Sequence, residues 1–489
     1  MRQLFTENLV LSAAGTALGL FIAAWSLEFL TALIPSNLTT ASLVFDGRLL
    51  LFALALGVVT TLLFGAVPAR QAWRLGVAEA LQSGGARSGE HRSTNRMRNW
   101  LVVSQTAFTF VLLVAAGLML RTFAELRAID PGFRGDDVLT MRTVLPVTKY
   151  RGVALRDAFY SQVLERVKAL PGVVDAGYTS WLPYRNWGGA ASFEIEGRPA
   201  PPRGLVFDSN IRLVTAGYIP AMGMTLLKGR ILNSADHIGT EPVAAINETM
   251  QRKYWPSEDP LNHRVRICPD CPWFRIVGIV GDIHQMALDL DVRPEYYVPF
   301  DQLSQALPWA PPQDLAVRAS GNPSALAADI RKAVWAVDAQ QPVTGLKVLS
   351  EFLDDDLAPR RFQTQLIGGF ALLALLLASL GVYGVLSYAV SQRQREIGVR
   401  MSLGAGPGDV VRLISKQGMK PALIGVAIGF VTAYGLSNLI SRLLYGITPH
   451  DTVTFATAAA VLLGVALLAC WIPARRASRT DPLTALHYE

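Results

Sequence analysis

Charge is what this chain has least of: Asp, Glu, Lys and Arg make up 17% of its 489 residues, against about a quarter in a typical soluble domain. That shortfall excludes an ordinary soluble globular chain, and the 51% apolar content points to long uncharged runs. Cysteine is nearly missing, with three in the chain, which excludes a disulfide-stapled miniature scaffold. No G-x-x-x-x-G-K-[ST] occurs, so the glycine-rich loop that cradles ATP phosphates is not present. No A-x-A-type site closes the first apolar stretch, which therefore reads as a true span and not as a secretory leader. Spacing alone assembles no Ser/His/Asp or Cys/His set, because such sets are recognised by geometry. No catalytic residue, cofactor or bound metal is expected.

What is there instead is a series of six apolar stretches, at 9–34, 49–68, 101–120, 365–390, 421–441 and 453–472. Each has about the 20 residues needed to cross a hydrocarbon core of about 30 Å. Glu28 is the one charge within them, and it lies near the end of its stretch, where it reaches the interface. Between the third and fourth stretches, residues 121–363 have globular composition and nearly equal numbers of basic and acidic residues. The net charge of +7 therefore sits in the apolar remainder. It is concentrated in loop 69–100 (Arg70, Arg74, Arg87, Arg92, Arg96, Arg98), loop 391–420 (Arg393, Arg395, Arg400, Arg412, Lys416, Lys420) and the tail (Arg475, Arg476, Arg479). Positive loops stay in the cytoplasm. Loops 35–48 and 442–452, with only Arg48 and Arg442, then lie outside together with 121–363, and both termini lie inside. The basic balance is a topology signal, and nucleic acid is not an expected partner.

The chain also repeats itself. Pro68-Ala69-Arg70, Ala72, Arg74, Ala80 and Leu81 match Pro473-Ala474-Arg475, Ala477, Arg479, Ala485 and Leu486 at one constant offset. Arg2, Gly15, Ala17 and Gly19 match Arg412, Gly425, Ala427 and Gly429 at a slightly longer one. A helix–loop–helix block therefore occurs twice, and internal repetition decides architecture ahead of local motifs.

The outside segment contains two stretches in which hydrophobic period switches from two to 3.6 and back. One runs from Val138–Arg142 through a helix at 154–170 to Val173–Tyr178, with Pro171-Gly172 as the turn; the other runs from Leu315–Arg318 through Pro323–Val337 to Thr344–Val348. They predict a βαβ-type subdomain beside the membrane. Runs such as Pro242–Ile246 and Phe274–Asp282 between them predict an inserted β-rich subdomain. The glycines of Val277–Asp282 are too few and wrongly spaced for a dinucleotide fingerprint, and Asp354-Asp355-Asp356 reads as a solvated charge run. Cys268 and Cys271, in Cys-Pro-Asp-Cys-Pro, read first as a disulfide pinning a loop; free thiols, or a zinc site completed by His263 and His284, are the alternatives. Cys470, in the last span, reads as a buried thiol.

The segment after the fourth span carries the most mechanism: Arg395-Glu396-Ile397-Gly398-Val399-Arg400-Met401-Ser402-Leu403-Gly404-Ala405. Ile397, Val399, Met401 and Leu403 supply an apolar strip, Arg395, Glu396 and Arg400 supply polar contacts, and Gly404–Pro407 stops the helix. Asp409 is placed to cap the next helix. The pattern predicts a short helix along the cytoplasmic surface, either anchoring the loop or offering a face to a partner.

This segment resembles the signature of MacB/FtsX-type ABC transporter permeases, in which it forms the coupling helix seated in a groove of the cytoplasmic ATPase. Pro242–Asn247 with Tyr254-Trp255-Pro256, Trp273–Asp282 with Arg293–Tyr297, and Pro473–Ala477 with Asp481–Leu486 resemble the same family, and the repeat resembles its duplicated long-permease subfamily described from acidobacteria. The resemblance implies an integral membrane α-helical protein of six spans with a large α+β extracytoplasmic domain. It implies residues 1–97 as the last two spans of an amino-terminally truncated first module, 98–120 as the first span of the second, 121–363 as a periplasmic MacB-like domain, and 364–489 as an FtsX-like permease domain with three spans. It further implies a coupling role for Arg395, Glu396, Ile397, Gly398, Arg400, Met401, Leu403 and Gly404. A separate cytoplasmic ABC ATPase, a second permease module or homodimer, a periplasmic adaptor or substrate, and membrane lipid are the implied partners. The expected location is the bacterial inner membrane, and the expected work is efflux or export of lipoproteins or peptides. The FtsX branch implies the alternative of a signalling scaffold controlling a periplasmic enzyme. A secondary transporter expects ionisable residues near the midplane, which these spans lack.

Overall fold

The computed structural model describes residues 87–478 apart from 186–187, 200, 203–205, 304–310, 393 and 404–405, together with residues 10, 13–25, 47 and a few positions between 51 and 59. The chain divides into two compact units, one of residues 1–125 and 358–489, the other of Leu126–Leu357. Most of the first two expected spans, Glu28, Arg70, Arg74 and the tail beyond residue 478 lie outside the described residues. Within that region Ala13–Trp25 is a short apolar helix.

The first unit is helical. Its helices are α1 (Arg87–Ala128) and, further along the chain, α4 (Leu349–Gln392), α5 (Gln394–Ser402), α6 (Pro407–Leu436) and α7 (Thr452–Ala477). Among the described residues, four helices are long and apolar enough to cross a membrane, where the sequence predicts six over the whole chain. The expected spans at 101–120, 365–390, 421–441 and 453–472 fall within them. The helices close on one another through small residues. A Cβ on Gly425 would meet the Val103 carbonyl oxygen at 2.8 Å, and one on Gly429 would meet that of Ala107 at 2.8 Å, so this G-x-x-x-G face of α6 lies directly on α1. Phe110, Val114 and Leu118 then pack with Phe455 and Leu462. Asp451 caps α7 by accepting from the Thr454 N–H at 2.8 Å and pairs with Arg121.

The soluble unit is built on an eleven-stranded sheet. Its strands are β1 (Val138–Arg142), β2 (Val173–Thr179), β3 (Gly189–Ile195), β4 (Phe207–Val214), β5 (Leu226–Gly229), β6 (Val243–Asn247), β7 (Arg264–Arg266), β8 (Phe274–Val280), β9 (Glu295–Pro299), β10 (Asp314–Ala319) and β11 (Thr344–Val348). Helix α2 (Val153–Lys168) links β1 to β2, and α3 (Ala327–Val337) links β10 to β11. The predicted strand–helix–strand units are thus present, but neither is a pair of adjacent strands. β10 lies between β1 and β2, antiparallel to both, with Met141 opposite Leu315 and Leu315 opposite Tyr178. β1 likewise lies between β10 and β11. The result is two interleaved split βαβ units. Phe159, Val163 and Val167 of α2 and Ile330 and Val334 of α3 bury against one face of the sheet, each burial contributing about 1.5–3 kcal/mol.

The inserted strands do more than form a β-rich lobe. β4 pairs with β3, β3 with β7, β7 with β8, β8 with β6, β6 with β9, and β9 returns to β4 in parallel register. This closed circuit removes the free edges that a small open sheet would present. It joins the split βαβ half through a single strand pair, Thr179 opposite Val214. A short helix, Tyr218–Met222, covers that junction from the other face. Gly177 allows the approach, since a Cβ there would sit 2.2 Å from the Tyr218 nitrogen.

Buried charge clusters beside the junction. Arg212 of β4 and Glu295 of β9 are paired at 2.5 Å with both side chains shut off from solvent. Gln285 donates to Glu295 at 3.0 Å and the Tyr297 hydroxyl donates to it at 3.2 Å. Asp314 of β10 lies between Arg142 and Arg185, 3.3 Å from each. Burial raises the Glu295 carboxyl above its ordinary range, against the attraction of Arg212.

Candidate functional site

Helix α5 forms where the sequence predicts it, ending at Ser402 before the Gly404–Pro407 stop. Gly404 lies outside the described residues, and Arg395 falls in the first turn by its backbone. The next helix begins at Pro407, with Gly406 as N-cap, and Asp409 accepts from the Gly406 N–H at 3.2 Å. Asp409 thus closes the turn from inside α6, where a negative charge suits the positive end of the helix.

The expected single apolar strip is in fact two strips on opposite faces. Ile397 is 8% exposed and packs with Val382, Leu386, Val410, Ile414 and Ala474, and Met401, one turn on, packs against the same cluster. Val399 is 41% exposed and Leu403, again one turn on, is 82% exposed. Residues four apart share a helix face, so one pair seats the helix and the other faces away. Gly398 is buried beside Ile397. Glu396 and Arg400 are half-exposed and joined at 2.8 Å across one turn, a surface pair worth about 0.3–0.5 kcal/mol. The Ser402 hydroxyl donates to the Val399 carbonyl at 2.8 Å, tying off the last turn.

The arrangement presents an apolar pair, Val399 and Leu403, beside the opposite charges of Glu396 and Arg400, on a short helix anchored from behind by Ile397 and Met401. Sequence reasoning missed two cation–π contacts elsewhere in the helical unit. Arg98 lies over the Tyr388 ring, 3.9 Å from its centroid, and Arg475 lies over Trp471 of its own helix at 4.9 Å; both sit near the ends of apolar stretches, where an Arg near an aromatic residue is the available signal.

In the soluble unit, Cys268 and Cys271 form a disulfide with Cα atoms 5.1 Å apart, in the connection between β7 and β8. Neither thiol remains for zinc, and His263 packs against Trp255 instead. Arg266, in β7, reaches Glu194 at 2.5 Å and lies over the Trp273 ring, so the loop is held at its base as well. Lys347 pairs with Asp355 of the expected charge run.

Two family models match the chain: the MacB-like periplasmic core domain over residues 107–333 and the FtsX-like permease C-terminal domain over residues 368–482. The macrolide export ATP-binding/permease protein MacB of Hahella chejuensis is 25% identical over 59% of this chain and 44% of its own length. The uncharacterised ABC transporter permease YknZ of Bacillus subtilis is 24% identical over 58% of this chain and 70% of its own. The pyoverdine export ATP-binding/permease protein PvdT of Pseudomonas syringae is 25% identical over 56% and 42% respectively. The match thus spans less than half of the MacB and PvdT relatives. Among solved structures, the periplasmic region of MacB from Actinobacillus actinomycetemcomitans matches 45% of this chain and 92% of that one, at 12% identity and a TM-score of 0.32.

Proposed function

We propose, for a chain that these two domain matches identify as a MacB/FtsX-type ABC transporter permease, that it is the permease subunit of an ATP-driven system in a bacterial inner membrane. In this reading α5 is the coupling helix, docked on a separate cytoplasmic ABC ATPase. ATP-driven movement of that ATPase displaces α5, and the spans carry the motion to the periplasmic domain. Residues 98–120 are the first span of the module, 121–363 its periplasmic domain, and 364–489 its three-span permease domain. A second permease module or a second copy of the chain completes the membrane core. The work done is export of small molecules, peptides or lipoproteins from the periplasmic side.

The observation that carries the reading is the division of α5 into an anchored face, Ile397 and Met401, and an outward face, Val399 and Leu403. An anchoring helix needs only the first, whereas outward apolar residues in a cytoplasmic loop gain stability when a partner covers them. The periplasmic placement is supported by the Cys268–Cys271 disulfide, since disulfides persist in oxidising compartments.

The test is co-purification of the full chain with an ABC ATPase from its own host, scored by ATP hydrolysis in the eluate. Leu403→Glu puts an unpaired charge into the docking face and is expected to lower recovered hydrolysis by at least about tenfold, with the permease yield unchanged. Undiminished recovery in Leu403→Glu together with Val399→Glu sinks the assignment.

A further inference from the structure

The membrane unit contains a cavity of about 670 Å³ that coupling does not use. It lies among the start of α1, the end of α4 and the first half of α6, and its lining is zoned. Asn99, Gln392 and Lys420 supply polar atoms, and Val102, Val385 and Ile424 supply hydrocarbon. The zoning comes from the sequence: Asn99 precedes the apolar stretch that begins at 101, Gln392 follows the one that ends at 390, and Lys420 precedes the one that begins at 421. Three helices therefore bring their polar–apolar boundaries to one opening, and the border between headgroups and hydrocarbon runs across its mouth.

Lys420 is the one charged side chain among the residues that line the cavity. It is exposed and has no ion-pair partner among the described residues. A free anion would satisfy this cation and leave the valine-lined depth unfilled, whereas a neutral apolar molecule would fill the depth and leave the cation bare. Left empty, the depth forfeits packing contacts. One molecule of matching shape meets both needs, and the volume suits it, within the range of about 300–1,000 Å³ for ligand sites.

We propose that this cavity binds an anionic phospholipid of the cytoplasmic leaflet, with its phosphate at Lys420 and an acyl chain along Val102, Val385 and Ile424. Basic pockets between membrane helices take such headgroups. The leaflet rests on the orientation proposed above; the binding does not. A smaller adjoining recess shares Leu386, Ala389 and Gln417 with the cavity and is closed by Glu396, Ile397 and Arg400. The bound lipid thus touches side chains that also seat α5, and its presence sets the stance of that helix.

The test uses the full chain in nanodiscs of equal phosphatidylglycerol and phosphatidylcholine, with the lipid retained on extraction counted by native mass spectrometry. Wild type is expected to retain phosphatidylglycerol in preference. Lys420→Glu should cut that preference by about fivefold or more, the factor one basic residue near an anionic surface contributes. Val385→Trp should fill the depth and lose both lipids, whereas Leu423→Trp, on an exposed position of α6, should change nothing. An unaltered preference in Lys420→Glu overturns the site, and if Val385→Trp fails to fold, Lys420→Glu and Lys420→Gln decide alone. Displacement of all retained lipid by inorganic phosphate overturns it in favour of a free-anion site. Labelling of Asn99→Cys by an impermeant maleimide in intact cells would reverse the orientation and remove the coupling reading while leaving lipid preference intact; absence of labelling with no lipid preference removes the lipid site alone.

Discussion

The two units place their large apolar residues differently. In the soluble unit the deepest side chains are large: Trp255, Tyr160, Tyr178, Phe159 and Phe274 are fully buried. In the membrane unit a run of large apolar side chains on α4 points outward, with Leu372, Leu373, Leu376, Leu377 and Leu380 all at least half exposed, while Ala371 and Ala378 on the same helix are buried. The same chain has solved its packing twice, in two solvents. Water drives bulky apolar groups inside, whereas lipid tails give leucine nothing to escape from and leave close backbone approach as the force that joins helices. The soluble unit can therefore afford buried charges in a thick apolar interior, and the membrane unit depends on what it leaves out, namely side chains at Gly425 and Gly429.

The largest way to break this contrast is to uncouple a buried charge in the soluble unit. Arg212→Met leaves Glu295 buried without its partner, and such uncoupling costs about 3–5 kcal/mol. The double variant Arg212→Met with Glu295→Leu removes both charges and should recover most of that loss. Chemical unfolding of the full chain in detergent, followed by tryptophan fluorescence, separates the two. If the single variant is no worse than the double, the pair is not what holds β4 against β9.

A smaller effect is expected on the membrane side. Gly425→Val puts a branched side chain where even a Cβ meets Thr106 at 2.7 Å and the Val103 carbonyl at 2.8 Å. Neither is the loose end of a flexible chain, so α1 and α6 must part, and overpacking of this kind costs about 1–3 kcal/mol. Gly435→Val, at a position on the same helix with nothing within 4 Å, provides the control. Both variants are read as the thermal midpoint of the detergent-solubilised chain. Equal midpoints would show that α6 does not rest on α1 through its glycines.

The contrast also explains what was legible beforehand. Helices in lipid announce themselves by composition, so the stretches at 101–120, 365–390, 421–441 and 453–472 could be placed without partners, and the stop at Gly404–Pro407 fixed the end of α5. The strand–helix–strand periods at 138–178 and 315–348 were equally local. What could not be read was which strand lies between which: β10 enters between β1 and β2 from the far end of the domain, and nothing near Val138 or Val173 encodes it. The closure of β9 onto β4 is hidden for the same reason, and so are Asp314 between Arg142 and Arg185 and Arg212 against Glu295. On α5 the difficulty was different. Four apolar residues within 397–403 cover both faces of a helix, and only Ile414 and Ala474 decide that Ile397 turns inward and Leu403 outward. The helix was legible from its own residues; which of its faces turns inward was not.

The finest test lies within the soluble unit and turns on pH. Asp338, at the end of α3, receives Lys149 at 2.7 Å and the Tyr150 hydroxyl at 2.7 Å. The hydrogen bond from Lys149, then that from Tyr150, hold its carboxyl below the ordinary range. A carboxyl depressed in the folded state contributes stability that is present above its unfolded pKa of about 3.9 and is lost as pH falls through the folded value. Glu295 works in the opposite sense: burial raises it against Arg212, so its contribution diminishes as pH rises from its unfolded value of about 4.3. The expected outcome is a thermal midpoint for Asp338→Asn that lies below wild type at pH 6 and converges on it as pH drops below about 3.9. Lys149 is half exposed, so salt should shrink the gap at pH 6 as well. A gap that is unchanged across that range would mean that Asp338 acts through shape and hydrogen bonding alone, and that charge in the soluble unit matters only where water has been excluded completely.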